Sequence, residues 1–388
     1  MRSKLLWLGL SLWSGVAVAA DGGCTNAPSR IESEPFDFSA VAQLVRCQDI
    51  GSIDELLPRL PQTFRARHSL IYASGSRHGA SRAIPRIVMA SEDARMIIAV
   101  AGDSSQRNGN LLEAIQYNDS ESQFEFHSID FPQVASPGQR PQVSPKNPTL
   151  CASCHRAQFS PNWESYPLWP GAYGSGASAG RDEDTAYAGF AANAARQGRY
   201  RALGPFPADL LSTDLEGHNH ALSQAIGSLN QERVVSGILV QPGYPKAQFA
   251  IAGSFLGCAD LESFLPARAR AHLSESYSAY HEKVRLQTLS HFNSQESRLA
   301  SLTGDEFSRP SSDWLFFFEA EPVIGAAFFS RELMGFDLSR YAVSRDGSFF
   351  DSHHTLGGLR IDARLSAGSF GPEDCANLRQ KSLEALSR

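Results

Sequence analysis

Cys151, Cys154 and His155 are the residues whose types and spacing most restrict the chemistry they can do. Two thiols two residues apart, followed at once by an imidazole, make Cys-x-x-Cys-His, the spacing of a covalent haem c attachment site. Each thiol can add to one vinyl group of the same porphyrin, and the next residue then stands under the iron as its proximal ligand. All three groups must come from one tight turn. The two thiols could instead form a disulfide or half of a zinc site. Zinc needs about two further ligands, usually as a second close pair, whereas Cys24, Cys47, Cys258 and Cys375 stand singly. A redox dithiol would sit between a strand and a helix, and this motif follows a proline-rich stretch. The expected cofactor is therefore one covalently attached haem c, bound by Cys151 and Cys154, with His155 on the metal.

The residues that follow suit a large apolar plate. Arg156 to Tyr173 is rich in aromatics and proline, with Trp163, Tyr166, Trp169 and Tyr173 available either to wall off a porphyrin or to pack an ordinary core. The motif and this stretch resemble c-type cytochromes. In the small members a proline carbonyl soon after the motif accepts the proximal imidazole N–H and orients the ring. The resemblance makes Pro161 and Pro167 the candidates. Asn147-Pro148 through Gly174 also looks like a run shared by large exported bacterial proteins with a single haem motif. The small electron carriers place a Met ligand some tens of residues after the motif. Here the only later methionine is Met334, with Met89 and Met96 upstream, so a Met/His iron would need a long-range contact.

Ten other histidines could supply the sixth ligand: His68, His78, His127, His218, His220, His272, His281, His291, His353 and His354. His218-x-His220 and His353-His354 are pairs without a third metal ligand nearby. Arg77, Arg82 and Arg86 lie near an expected sheet edge, where one could pair with a haem propionate or remain solvated. Gly176-Ala177-Ser178-Ala179-Gly180 matches the hydrolase elbow pattern but lacks the preceding strand that the elbow needs.

The start of the chain reads as a signal peptide over residues 1–20. Arg2 and Lys4 precede the apolar run Leu5–Val18, and Ala17-Val18-Ala19 is a small-residue cleavage site. The run is short for a membrane span, and the Asp21-Gly22-Gly23 before Cys24 argues against lipidation. Haem c is attached outside the bacterial inner membrane, so export and motif agree on a periplasmic address. No transmembrane segment is expected in the mature chain; the apolar run Trp314–Phe329 contains Glu319, Glu321 and Pro322 and reads as core. A formal net charge of -6 gives no basic patch for nucleic acid. In an oxidising compartment the four remaining cysteines can form two disulfides, most simply Cys24–Cys47 and Cys258–Cys375, one of three connectivities.

These groups need elements to position them. Helical spacing marks Phe38–Cys47, and a second short helix is expected from Ser52 to Leu60, interrupted by Pro58. Strands are expected at Arg86–Met89, Arg95–Ala101, Leu111–Tyr117 and Gln123–Ile129, separated by polar turns. Pro132–Pro148, with five prolines, reads as a connector that delivers Cys151. Beyond it, helices are expected at Ala186–Gln197, His220–Ile238, Phe249–Cys258, Ala267–Leu289 and Asp374–Leu386, with a hairpin around Arg345-Asp346-Gly347. The predicted class is α+β: an antiparallel β-rich N-terminal part, a haem-binding loop and a mainly helical C-terminal half. The expected divisions are 21–148, 149–205 and 206–388.

Electron transfer with a periplasmic redox partner is the function most directly implied. A haem-c oxidoreductase of peroxidase or oxidase type, with an open distal site, is the alternative that the length favours. A gas or redox sensor ranks third, because no signalling segment is visible.

Overall fold

The computed structural model describes residues 24, 27–132, 138–155, 171–174, 181–286, 321–336 and 371–387. Helix α1, Phe38–Cys47, starts where Asp37 Oδ1 accepts the Ala40 N–H at 2.8 Å, and it buries Val41, Leu44 and Val45 along one face. Helix α2, Ile53–Leu56, is opened by a reciprocal cap: Ser52 Oγ accepts from the Glu55 N–H and Glu55 Oε2 from the Gly51 N–H. It runs into one 3-10 turn, Leu57–Arg59, at the expected proline, and helix α3, Gln62–Ala66, follows.

Six antiparallel strands then form one sheet in sequence order: β1 (His68–Ile71), β2 (Arg86–Ala90), β3 (Met96–Val100), β4 (Leu111–Asn118), β5 (Gln123–Asp130) and β6 (Gln142–Val143). Both expected hairpins are present, pairing Ala90 with Ile97 and Asn118 with Gln123. Strand β3 is buried along its whole length, as its continuous apolar sequence requires of a strand covered on both faces. Strand β6 corrects the expectation of a plain connector over Pro132–Pro148. Two residues are too few to show alternation, and their pairing of Val143 with Ile129 is completed by polar side chains further along.

The period of two sorts the sheet residues into two cores. The first face carries Leu70, Ile87, Met89, Met96, Ile98, Leu112 and Ile129 against α1 to α3 and against helix α5, Arg181–Asn193, through Tyr187 and Phe190. The second face carries Ile71, Val88, Ala90, Ile97, Ala99, Tyr117, Phe124 and Phe126, packed against Leu222, Ile226 and Leu229 of helix α6, Leu215–Leu239.

The C-terminal part is helical, so the class is α+β. Helix α7, Tyr244–Phe255, packs against the helices Glu321–Met334 and Pro372–Ser387, with Ile251, Phe328, Phe329 and Leu378 buried between them. Val235 and Ile238 bring the end of α6 into this core. The single helix expected over Ala267–Leu289 is corrected to two, Ala267–Arg270 and one covering 277–286. The break has polar causes. Glu332 accepts the Ser274 N–H, Glu262 accepts the Tyr277 N–H, and Ser276 Oγ accepts the Ala279 N–H, so the chain bonds to neighbouring carboxylates instead of continuing the helix. The expected hairpin at Arg345-Asp346-Gly347 and the Gly176–Gly180 run lie outside the described residues. Among the described residues no helix is long and apolar enough to cross a membrane.

Disulfides join Cys24 to Cys47 and Cys258 to Cys375, the simplest of the three pairings. The second closes a loop of sequence separation 117, the first one of 23. Denaturant unfolding of the double variant Cys258→Ser/Cys375→Ser should show a loss of about 4 to 5 kcal/mol, and Cys24→Ser/Cys47→Ser one of about 3 kcal/mol.

Candidate functional site

The motif lies on helix α4, Thr149–His155, not on a loop. Residues three and four apart share one side of a helix, so a single turn brings positions 151, 154 and 155 together. The Cys151 N–H donates to the Pro148 carbonyl at 2.8 Å, which starts that turn. Cys151 packs, partly buried, against the second-face core. The His155 ring lies 4.3 Å from the Phe126 ring, tilted by 41°. The aromatic stretch 156–170, with Pro161, Trp163, Tyr166, Pro167 and Trp169, lies outside the described residues. Tyr173 belongs to the first-face core, fully buried, its hydroxyl donating to the Arg82 carbonyl.

Asn147 attaches α4 to the sheet. Its own N–H donates to the Phe126 carbonyl at 2.8 Å, and its Oδ1 accepts the Phe126 N–H at 2.8 Å. One residue therefore makes both bonds that a paired strand would make. Ser144 does the same for Ser128, through N–H and Oγ, both at 2.9 Å. Asn147 has φ +53°, the left-handed conformation that asparagine tolerates better than most residues. The Asn147-Pro148 pair is legible in the sequence as a turn signal, but its strand-like pairing with Phe126 is not.

Cys151 and His155, on one helical turn, both lie against the second-face core, Cys151 by packing and His155 through Phe126. The four other cysteines are all in disulfides, which removes them as zinc ligands. His218 and His220 do not converge: His218 Nε2 lies 3.3 Å from Asp214 Oδ2 one turn earlier, while His220 pairs with Gln224 at 2.8 Å. Among the described residues no group of three or more His, Cys, Asp or Glu side chains is arranged to hold a metal ion.

The two faces of the sheet separate the methionines from the motif. Met89 and Met96 face the first core, on the opposite side from Phe126 and Cys151. Met334 packs in the helical core. Among the described residues none of the three methionines shares the core that holds Phe126 and Cys151. Of the histidines, His127 is on the first face, stacked on Phe38 at 4.2 Å. His68 is lowered to about 4, chiefly by burial, and its Nδ1 lies 2.9 Å from the Arg65 carbonyl. His78 is fully buried, with Nε2 2.9 Å from the Leu111 carbonyl. His291, His353 and His354 lie outside the described residues. Arg77 and Arg86 converge on Glu113, while Arg82 lies over the Tyr72 ring at 5.4 Å.

No protein-family model matches this chain, and no curated protein or solved structure is significantly similar to it.

Replacing Asn147 by Gly keeps the left-handed backbone accessible but removes the acceptor for the Phe126 N–H. Unfolding should show a loss of about 1 to 2 kcal/mol, and the NMR signals of the His155 ring should lose the ring-current shift from Phe126. Asn147→Asp, which retains an acceptor oxygen, should preserve that shift.

Proposed function

We propose that this chain is a c-type cytochrome, holding one haem by thioethers to Cys151 and Cys154 with His155 as proximal iron ligand. More particularly, we infer a periplasmic protein that passes single electrons to or from a partner protein after its signal peptide is removed. The observation that carries the reading is the placement of the Cys-x-x-Cys-His turn on α4, with Cys151 and His155 against the apolar second face of the sheet. When bound, haem supplies one-electron Fe(II)/Fe(III) chemistry. The chain's own residues do the rest. Cys151 and Cys154 prevent loss of the group between encounters. Phe126 sets the tilt of the His155 ring, Asn147 holds Phe126 in place, and the apolar side chains of β2 to β5 exclude water. The acidic net charge of -6 gives nucleic acid no purchase.

A second reading, a haem-c oxidoreductase with an open distal position, is favoured by the methionines. Met89 and Met96 face the other core and Met334 the helical one, so none is placed to close the iron.

Intact-mass analysis of the mature chain should show one added haem, and the pyridine haemochrome spectrum should be that of a group with both vinyls saturated. Cys151→Ala/Cys154→Ala should abolish the addition, and His155→Ala should leave a strongly perturbed iron. Electron transfer expects a ferrous spectrum that carbon monoxide does not change. Binding of carbon monoxide and peroxide would decide for the oxidoreductase, and an unmodified mass would overturn both readings.

A further inference from the structure

Two histidines from different elements meet where β1 passes the start of α6. The His68 and His218 ring centroids are 5.9 Å apart, with the ring planes tilted by 56°. His68 opens β1, and His218 stands on the first turn of α6. Phe206 packs edge-on against His68 at 5.4 Å.

The other partner of each ring fixes which nitrogen carries the proton. His68 Nδ1 lies 2.9 Å from the Arg65 carbonyl. A carbonyl only accepts, so Nδ1 is the donor and Nε2 holds the lone pair. His218 has the opposite arrangement. Its Nε2 lies 3.3 Å from Asp214 Oδ2, which leaves the lone pair on Nδ1. That Nδ1 is buried with no hydrogen-bond partner, whereas buried polar atoms are ordinarily satisfied. Asp214 occupies the N-cap of α6, where an aspartate commonly accepts a backbone N–H. Its side chain makes no such bond and faces His218 instead.

One ring held by a carbonyl and one by a carboxylate, each with its other nitrogen left over, is the outer-shell pattern of metal-ligating histidines. The spacing agrees. With metal–nitrogen bonds of about 2.0 to 2.1 Å, an ion stands about 3.2 Å from an imidazole centroid. Two rings on one tetrahedral ion then have centroids about 5.2 Å apart, and two on a linear one about 6.4 Å. The observed separation falls between these limits. Among the described residues no third His, Cys, Asp or Glu completes a ligand set, so water takes the remaining positions. The His218 side chain is 23% exposed, which gives water and an ion access. His68 is on β1 and Phe126 on β5, four strand spacings or about 19 Å across the sheet. The pair is thus separate from the attachment turn, and the inference does not rest on the haem reading.

We propose that His68 Nε2 and His218 Nδ1 bind one divalent transition-metal ion of the zinc or copper type, with Arg65 and Asp214 orienting the two rings. Imidazole nitrogens suit these ions, whereas calcium and magnesium take oxygen ligands.

Calorimetric titration of the purified full chain with Zn(II) should show one ion bound per chain. His68→Gln and His218→Gln should each abolish that event. Asp214→Asn keeps the shape but not the charge of the orienting group, and it should weaken binding by about 10- to 100-fold. His220→Gln is the control, since His220 pairs with Gln224 and its loss should leave the titration unchanged. If a ligand variant does not fold, the electron paramagnetic resonance spectrum of the wild-type chain with one Cu(II) decides, because its superhyperfine pattern counts the bound nitrogens and two are expected. The site is overturned by a wild type that binds no ion, by binding that survives both ligand variants, by an equal loss in His220→Gln, or by a Cu(II) spectrum without two imidazole nitrogens.

Discussion

The two hydrogen bonds between Asn147 and Phe126 are the constraint on which the site depends. They fix a residue that is not in a strand to the edge of β5, and α4 begins immediately afterwards. Because they involve the backbone of Phe126, they also fix where its ring stands relative to His155. Neutral hydrogen bonds contribute only about 1 kcal/mol each. Their value here is geometric: a short helix, which would not persist alone in water, is held at one register on a sheet.

The sheet then acts as a partition. Its alternation sends Met89, Met96 and His127 to one side and Phe126, Ile115 and Glu113 to the other. Residues adjacent in sequence thereby serve different cores. Ala172 and Tyr173 show this at the edge, where Ala172 bridges to Ile71 and joins the second core, while Tyr173 turns its ring into the first. A ligand search by sequence distance cannot see this division.

Much of the fold was legible. Phe38–Cys47 is legible to the residue from its apolar spacing alone, the Asp37 cap being seen only in the fold, and both hairpins are marked by polar turns between apolar runs. The disulfides followed from the simplest pairing. The illegible parts are those that depend on contacts distant in sequence. Strand β6 is two residues long and is defined by its partner. The break after Arg270 needs Glu262 and Glu332, which no local pattern near 271–276 discloses. At the site Cys151, Cys154 and His155 stand out by spacing alone. The role of Asn147 was hidden, because a side chain that imitates a strand has no periodicity. The convergence of Arg77 and Arg86 on Glu113 required knowledge of which strands are neighbours.

Helix α6 has a wider consequence. Its 25 residues span about 37 Å. Leu222, Ile226 and Leu229 belong to the sheet's second core, whereas Val235 and Ile238 belong to the helical one. A single rod common to both works as a strut. Packing changes in the C-terminal helices and in the sheet therefore meet on one continuous helix, with no break in its assigned span between the two cores.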